Sequence, residues 1–445
     1  MVDESPAWKD IPCHFTWGIS DETTELYETK KRFLQQNADK YDGDVNTCPM
    51  LLFLGFLEYK TSGSEKGLRM LDKADELIDK MDDDNEKSAH KVVSLANRAW
   101  ILTNDDDSQN AAKVIVDLEN LWDKTTLEKQ REKQAYIFAI GAFSLRRFAP
   151  KFHITAEDMY RKALAVYPNK SRWNHDMGRL VGQLGRIKGE NLTNEEREFY
   201  NRALQFESDY TPARVSLIQS FLRTKEFSAA KQEVDKLDCK DNPSAIFTTA
   251  RFYTMQRRYD EALRILKDAE NLNHSEIFKQ MGHVYKSMAY SERGEKRTAY
   301  FEKALECYDK CINLFPMGLY ASLDKASLLR ELGRNDEGER VFKELLEEER
   351  EFIPEQKVLL RSRYVEFLKK TSYGRETDIV KLSKEVITEA TEKCVEINDK
   401  GKRYFTDSAK RCVRQAKGDL LGHYQRNKMW DDMIKVNAML KPFGM

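Results

Sequence analysis

The amino-acid sequence predicts an all-α protein built as a stack of antiparallel helix pairs. Three observations carry that prediction. The 445 residues include only 10 prolines and 20 glycines, below the averages of ~5 % and ~7 %, so breaker-free stretches are long. A small–large–small spacing recurs along the chain. A second small residue stands twelve positions upstream of several of these recurrences. Hydrophobic content of 40 % supplies a large core and argues against global disorder. This length suits two or three domains or one extended array.

The chain opens on IPCHFTW at 11–17. Cys13 and His14 fit a zinc site, a catalytic Cys–His pair or a hydrophobic plug. No second Cys/His pair follows at ligand spacing, and nothing supplies an oxyanion donor for a nucleophile. The plug is the expected role, with Phe15 and Trp17 buried over the first helix pair and Cys13 holding no metal. The chain has no phosphate-loop or dinucleotide fingerprint, so neither an enzyme nor a cofactor is expected.

The repeats follow. AEDMYRKALAVYP places Ala156, Tyr160, Ala163 and Pro168 at intervals of four, three and five, and ALECYDKCINLFP repeats them with Ala304, Tyr308, Cys311 and Pro316. The upstream partners are Gly55 for Gly67, Ala99 for Ala111, Ser144 for Ala156, Ala250 for Ala262 and Ala326 for Gly338. Two helices can cross closely where each contributes a small residue, and the large residue fills the gap to the next pair. This is the grammar of the tetratricopeptide repeat. Second-helix anchors fall near 67, 111, 156, 196, 230, 262, 304 and 338, giving eight repeats, or nine with 357–388. The expected architecture is a tetratricopeptide-repeat superhelix with N-terminal capping helices and a helical C-terminal cap. Its segments are a cap and pocket-lining helix (1–48), an N-terminal sub-bundle (49–170), a central superhelix (171–300) and a C-terminal bundle with a basic cap (301–445).

Charge narrows the function. Lys and Arg number 74 against 75 Asp and Glu, which excludes a basic nucleic-acid coat and leaves cations focused in a concavity. In a helix-pair solenoid the first helices line the concave side. Four middle repeats place Arg172, His175, Arg179, Gly182; Pro212, Val215, Gln219, Leu222; Ser244, Phe247, Arg251, Thr254; and Glu276, Lys279, His283, Lys286 on that stripe. Five Lys/Arg face one acid, which reads either as a trough for a phosphate-bearing strand or as ordinary solvated helix faces. Residues 401–428 add Lys402, Arg403, Lys410, Arg411, Arg414, Lys417, Arg426 and Lys428 against Asp407 and Asp419. They form a basic end-cap or a solubilising one. No basic-then-apolar leader and no membrane-length apolar run is present, and seven cysteines without paired spacing suit reduced thiols, so a cytoplasmic location is expected.

The CHFTW pentapeptide at 13–17, joined to this repeat pattern, resembles the interferon-induced proteins with tetratricopeptide repeats. KADELI (73–78), ARFY (250–253), KQMGHVY (279–285) and SRYVEFLKK (362–370) extend the resemblance to about residue 388. The resemblance implies helical sub-bundles closed around a central channel. It implies non-catalytic binding of viral single-stranded RNA through a 5′ triphosphate or an undermethylated cap. By the same resemblance, an inward acid, base and Gln fall on Glu28, Arg32 and Gln36. A pocket cation falls on Arg147, an aromatic on Phe143, a His-Gln pair on Lys279-Gln280 and a groove cation on Arg251. Lys286 joins them from the stripe. Departures occur where the family's Arg-Tyr pair falls on Phe247-Thr248, where an Arg falls on Gln183 between Arg179 and Arg186, and where cap contacts fall on Lys40 and Asp42. Triphosphate is therefore expected over cap. The expected partners are single-stranded RNA with 5′ phosphates and other repeat proteins of the same family, the chain itself included, with no membrane and no metal. The rival reading is a scaffold binding extended peptides in the same groove, since fold alone does not separate the two.

Overall fold

A computed structural model describes residues 7–38, 47–123, 127–188, 193–240, 242–316, 318–349, 352–371, 375–397 and 403–445. Contacts divide the chain once, into Met1–Ser208 and Asp209–Met445. That division falls within the expected segment 171–300.

In the first unit, α1 (Thr24–Ala38) precedes four helix pairs. They are α2 (Cys48–Ser62) with α3 (Ser64–Ile78), α4 (Asp84–Asn104) with α5 (Ser108–Asp123), α6 (Leu127–Phe148) with α7 (His153–Val166), and α8 (Ser171–Lys188) with α9 (Thr193–Phe206). Boundary chemistry explains several starts. Pro49 sits in the first turn of α2, where its missing N–H costs nothing. The Asp83 carboxylate accepts from the backbone N–H groups of Asn85 and Glu86 at the head of α4, a side-chain cap.

The second unit continues with α10 (Thr211–Thr224) and α11 (Phe227–Val234), α12 (Pro243–Met255) and α13 (Tyr259–Asp268), α14 (Ser275–Ser291) and α15 (Gly294–Leu314). It ends with α16 (Leu319–Glu331) and α17 (Asn335–Glu347), α18 (Pro354–Thr371) and α19 (Glu376–Lys393), α20 (Asp407–Arg426) and α21 (Trp430–Leu440). The ninth repeat expected at 357–388 is α18–α19, and the helical cap is a further pair. A two-stranded antiparallel ribbon, β1 (Val395–Ile397) with β2 (Arg403–Phe405), joins α19 to α20. It departs from a purely helical expectation. Its Phe405 stacks on Phe443 with centroids 4.3 Å apart, closing the base of the α19–α20 core.

The twelve-residue spacing marks real helix crossings. A Cβ on Gly282 would stand 2.7 Å from the Tyr308 ring, so only glycine admits that ring at the α14–α15 crossing. The fourth pair differs from the expected anchor. Position 196 is a glutamate, and it fits because its carboxylate lies where a Gly182 side chain would be, 2.8 Å from that Cβ position.

The N-terminal stretch is a plug into α2, α4 and α6. Cys13, His14, Trp17 and Ile19 are buried, and Phe15 is half-buried. Phe15 stacks on Trp100 at 5.7 Å and meets Phe56 edge-on at 5.1 Å. The His14 backbone N–H donates to Asn97 Oδ1 at 3.2 Å. That fixes the Asn97 amide, so Asn97 Nδ2 donates to His14 Nδ1 at 2.9 Å. His14 Nε2 then carries the proton and donates to Ser144 Oγ at 3.0 Å. Burial pushes the Cys13 thiol up to about 12 and His14 down to about 3. Both stay neutral, and among the described residues no group of three His, Cys, Asp or Glu is placed to hold a metal ion. Among the same residues no helix is long and apolar enough to cross a membrane.

Candidate nucleic-acid interface

Helix α1 packs Tyr27, Lys31 and Leu34 inward, residues spaced four and three apart on one face. Lys31 is 9 % exposed. Its ammonium donates to Thr61 Oγ1 at 2.8 Å, Ser62 Oγ at 3.1 Å and Glu28 Oε1 at 3.3 Å, and stands 3.7 Å from Glu58 Oε2. Gln35 Nε2 donates to Glu58 Oε1 at 2.8 Å. The cation that Glu28 engages is thus its neighbour Lys31. Arg32 lies half-buried beside this network. The side chain of Gln36, and residues Lys40 and Asp42, lie outside the described residues.

The strongest electrostatic feature of the first unit joins α6 to α8. Arg146 and Arg147 end α6. Arg172, His175, Asp176, Arg179 and Gln183 follow one face of α8 at helical spacing. Asp176 is buried. Its Oδ1 accepts from Arg146 Nη2 at 2.9 Å and stands 3.9 Å from Arg147 Nη2. Its Oδ2 accepts from the Tyr160 hydroxyl at 3.3 Å. Burial would raise the Asp176 carboxyl, but Arg146 and Arg147 outweigh it and hold the group well below the carboxylate range. Burial, then the positive charge of Arg146, lowers Arg147 to about 9. Two guanidiniums share one carboxylate, so this triad keeps one positive charge in excess. Burial lowers His175 to about 3, with Arg179 adding to that shift, and the ring adds no charge.

Phe143 is 6 % exposed. The Arg147 guanidinium carbon lies 3.4 Å from its centroid, and Arg147 Nη1 donates to the Phe143 carbonyl at 3.2 Å. The Arg172 guanidinium lies 5.8 Å from the same ring. The structure therefore gathers Phe143, Arg147 and the α8 face carrying Arg179 and Gln183. Arg179 is exposed, Gln183 half-buried. Sequence reasoning did not single out Arg146 or Asp176, and read Tyr160 only as the large residue of its repeat. The Arg146-Arg147 dipeptide was the available signal, because two arginines beside one another at a buried helix end need a shared acid.

In the second unit, Arg251 is exposed on α12. Lys279 Nζ lies 2.5 Å from Glu276 Oε2, and Gln280 Nε2 donates to Glu276 Oε1 at 2.8 Å. Lys286 Nζ lies 2.7 Å from Asp324 Oδ1, and His283 Nε2 lies 3.0 Å from Asp324 Oδ2. Burial would raise Asp324, but His283 and Lys286 hold it at about 2. The cations of α14 thus meet acids of α14 and α16. A stripe counted on first helices up to α14 misses Asp324, which belongs to the next one. Phe247 packs on the His274 ring at 5.6 Å, and Thr248 is buried.

A family model described as Tetratricopeptide Repeats-Sensor matches residues 226–329. The Homo sapiens protein "Antiviral innate immune response effector IFIT1" is 22 % identical over 362 residues, covering 76 % of this chain and 74 % of its own. The Mus musculus "Interferon-induced protein with tetratricopeptide repeats 2" is 22 % identical over 374 residues, covering 81 % and 77 %. Among solved structures, a human IFIT1 dimer with PPP-AAAA superposes with a TM-score of 0.57 at 17 % identity, covering 98 % of this chain and 97 % of that one. One with m7Gppp-AAAA also gives 0.57, at 16 % identity and the same coverage. Those superpositions carry the repeat fold across the whole chain. With the CHFTW plug and sequence similarity across three quarters of its length, the chain is similar to the interferon-induced proteins with tetratricopeptide repeats.

Proposed function

We propose that this protein binds single-stranded RNA through its 5′ end, without catalysis, as a cytoplasmic effector of antiviral defence, and that it favours a triphosphate over a cap. The observation that supports the reading is the Arg146–Asp176–Arg147 triad with Phe143 beneath Arg147. Guanidinium forks suit phosphate oxygens, and the surplus positive charge of the triad calls for an anion. A cap would need an open ring face to stack on, and the Phe143 ring lies under Arg147. Human IFIT1 has been solved with both kinds of end. The expected site residues are Arg147, Arg179 and Gln183 beside Phe143, the α1 residues Glu28, Arg32 and Gln36, and Arg251, Lys279, Gln280 and Lys286 of the second unit.

A filter-binding titration tests this. One short RNA carrying a 5′ triphosphate, hydroxyl or cap is compared at fixed salt, with wild type and with Arg32→Glu or Arg147→Glu. Triphosphate should bind tightest and lose most in the variants. Equal affinity for all three ends would eliminate end recognition and leave the peptide scaffold.

Self-association is part of the same reading. Trp430 and Ile434, one turn apart on α21, are 52 % and 63 % exposed, and a monomeric variant of IFIT1 carries two Leu-to-Glu changes. Ile434→Glu should lower the sedimentation mass to that of one chain, and a wild type that already sediments as one chain refutes self-association.

A further inference from the structure

Helix α20 carries two features that its own packing does not use. Lys410, Arg411 and Arg414 are exposed and Lys417 is half-buried. Among the described residues none of the four makes an ion pair, whereas Arg426 near the end of the same helix reaches Glu376 at 2.6 Å and Lys369 of α18 reaches Asp419 at 2.5 Å. Four unpaired cations in two turns stand out in a chain of net charge −1.

The second feature is Gly418 and Gly422, one turn apart inside the 20-residue helix. Glycine weakens a helix interior relative to alanine. Elsewhere a close crossing explains it: a Cβ on Gly178 would stand 2.6 Å from the Tyr200 ring. A Cβ on Gly418 would meet nothing within 4 Å, and one on Gly422 only the Arg426 guanidinium tip at 3.4 Å. These glycines make room for no described part of the chain. They leave a bare helix face, continuous at helical spacing with Arg411 and Arg414, on which another backbone can lie close.

We propose that this face of α20 is a second RNA contact, gripping the phosphodiester backbone of the strand independently of its 5′ end and its sequence. The proposal rests on the RNA-binding reading above and extends it to the body of the strand. Phosphate is the chemistry that four unpaired cations beside a smooth face accept, since contacts to the backbone carry no base preference. A symmetric contact with a second copy would set like charges against each other.

The test uses the full chain and 5′-hydroxyl RNAs of about 5 and about 20 nucleotides, so that the 5′ phosphates play no part, with the longer RNA reaching phosphates beyond the first few. Wild type should bind the longer RNA at least tenfold more tightly. Combined Lys410→Gln, Arg411→Gln, Arg414→Gln and Lys417→Gln should abolish that gain and lower the salt slope by about 3, at ~0.7 per phosphate contact. The ratio of triphosphate to hydroxyl affinity on the short RNA should stay as in wild type. Gly418→Leu, which meets open space and should leave the melting temperature unchanged or raise it, should weaken the longer RNA several-fold. A wild type that binds both lengths alike, a quadruple variant with wild-type affinity and slope, or a Gly418→Leu protein that binds normally overturns the proposal. If all 5′ ends bind alike while the length gain persists and is lost in the quadruple variant, the end-recognition reading fails and this one stands.

Discussion

The Arg147 guanidinium carbon stands 3.4 Å from the Phe143 ring centroid, so one side chain both covers the aromatic face and carries the charge. Arg147→Ala separates the two roles. Losing a charge-assisted contact costs about 1.5–3 kcal/mol, so triphosphate affinity should fall about tenfold to a hundredfold. The uncovered ring should leave cap affinity unchanged or raised. End-resolved titrations check this, and a parallel fall for both ends would show that Phe143 does not discriminate.

Asp176 is a buried partner shared by two arginines. Removing one member of a buried pair leaves an uncompensated charge, at a cost of about 3–5 kcal/mol. Asp176→Ala should therefore lower the urea midpoint far more than Arg147→Ala, because the Arg147 side chain keeps 20 % exposure and water takes up part of the loss. Equal midpoints for the two variants would refute the assignment.

Four buried imidazoles, His14, His90, His153 and His175, all belong to the first unit. Burial lowers them to about 3, 4, 4 and 3. The unfolded chain protonates them near 6.5 and the folded chain does not, so protons favour unfolding. Their contribution is fully present above pH 6.5 and is lost as pH falls from there towards 4, at about 1.4 kcal/mol per pH unit for each ring. Unfolding followed from pH 7 to 4.5 should show this slope, and His90→Gln should remove one proton from it. A flat profile would mean that the rings titrate normally in the fold.

His14 holds Asn97 and Ser144 with both ring nitrogens. His14→Ala strands those groups in a dry site and opens a cavity beside Phe53 and Trp17, together costing about 2–4 kcal/mol. Chelator should leave the melting temperature of wild type unchanged. One equivalent of zinc in purified protein, with a chelator-dependent melting temperature, would overturn the plug.

The helix pairs were legible in the sequence because a close crossing demands small residues at a set spacing, as Gly282 against Tyr308 makes plain. That demand is local, so it leaves a mark on each stretch of about 34 residues. The charge balance is not local. Asp176 meets Arg146 from 30 positions away, and Asp324 meets Lys286 from 38 away, each on a different first helix. Counting charges helix by helix overstated the cations of α14 and passed over the acid that Arg146 and Arg147 share. Position 196 shows a third limit: its glutamate fits only because Gly182 gives way to it.

The plug also sets an order of events during synthesis. His14 emerges from the ribosome early, but its last partner, Ser144, lies 130 residues downstream. Contacts at such separation close late, and domains acquire their structure as the chain is extruded. A nascent chain must therefore carry CHFTW unsatisfied until α6 has left the exit tunnel.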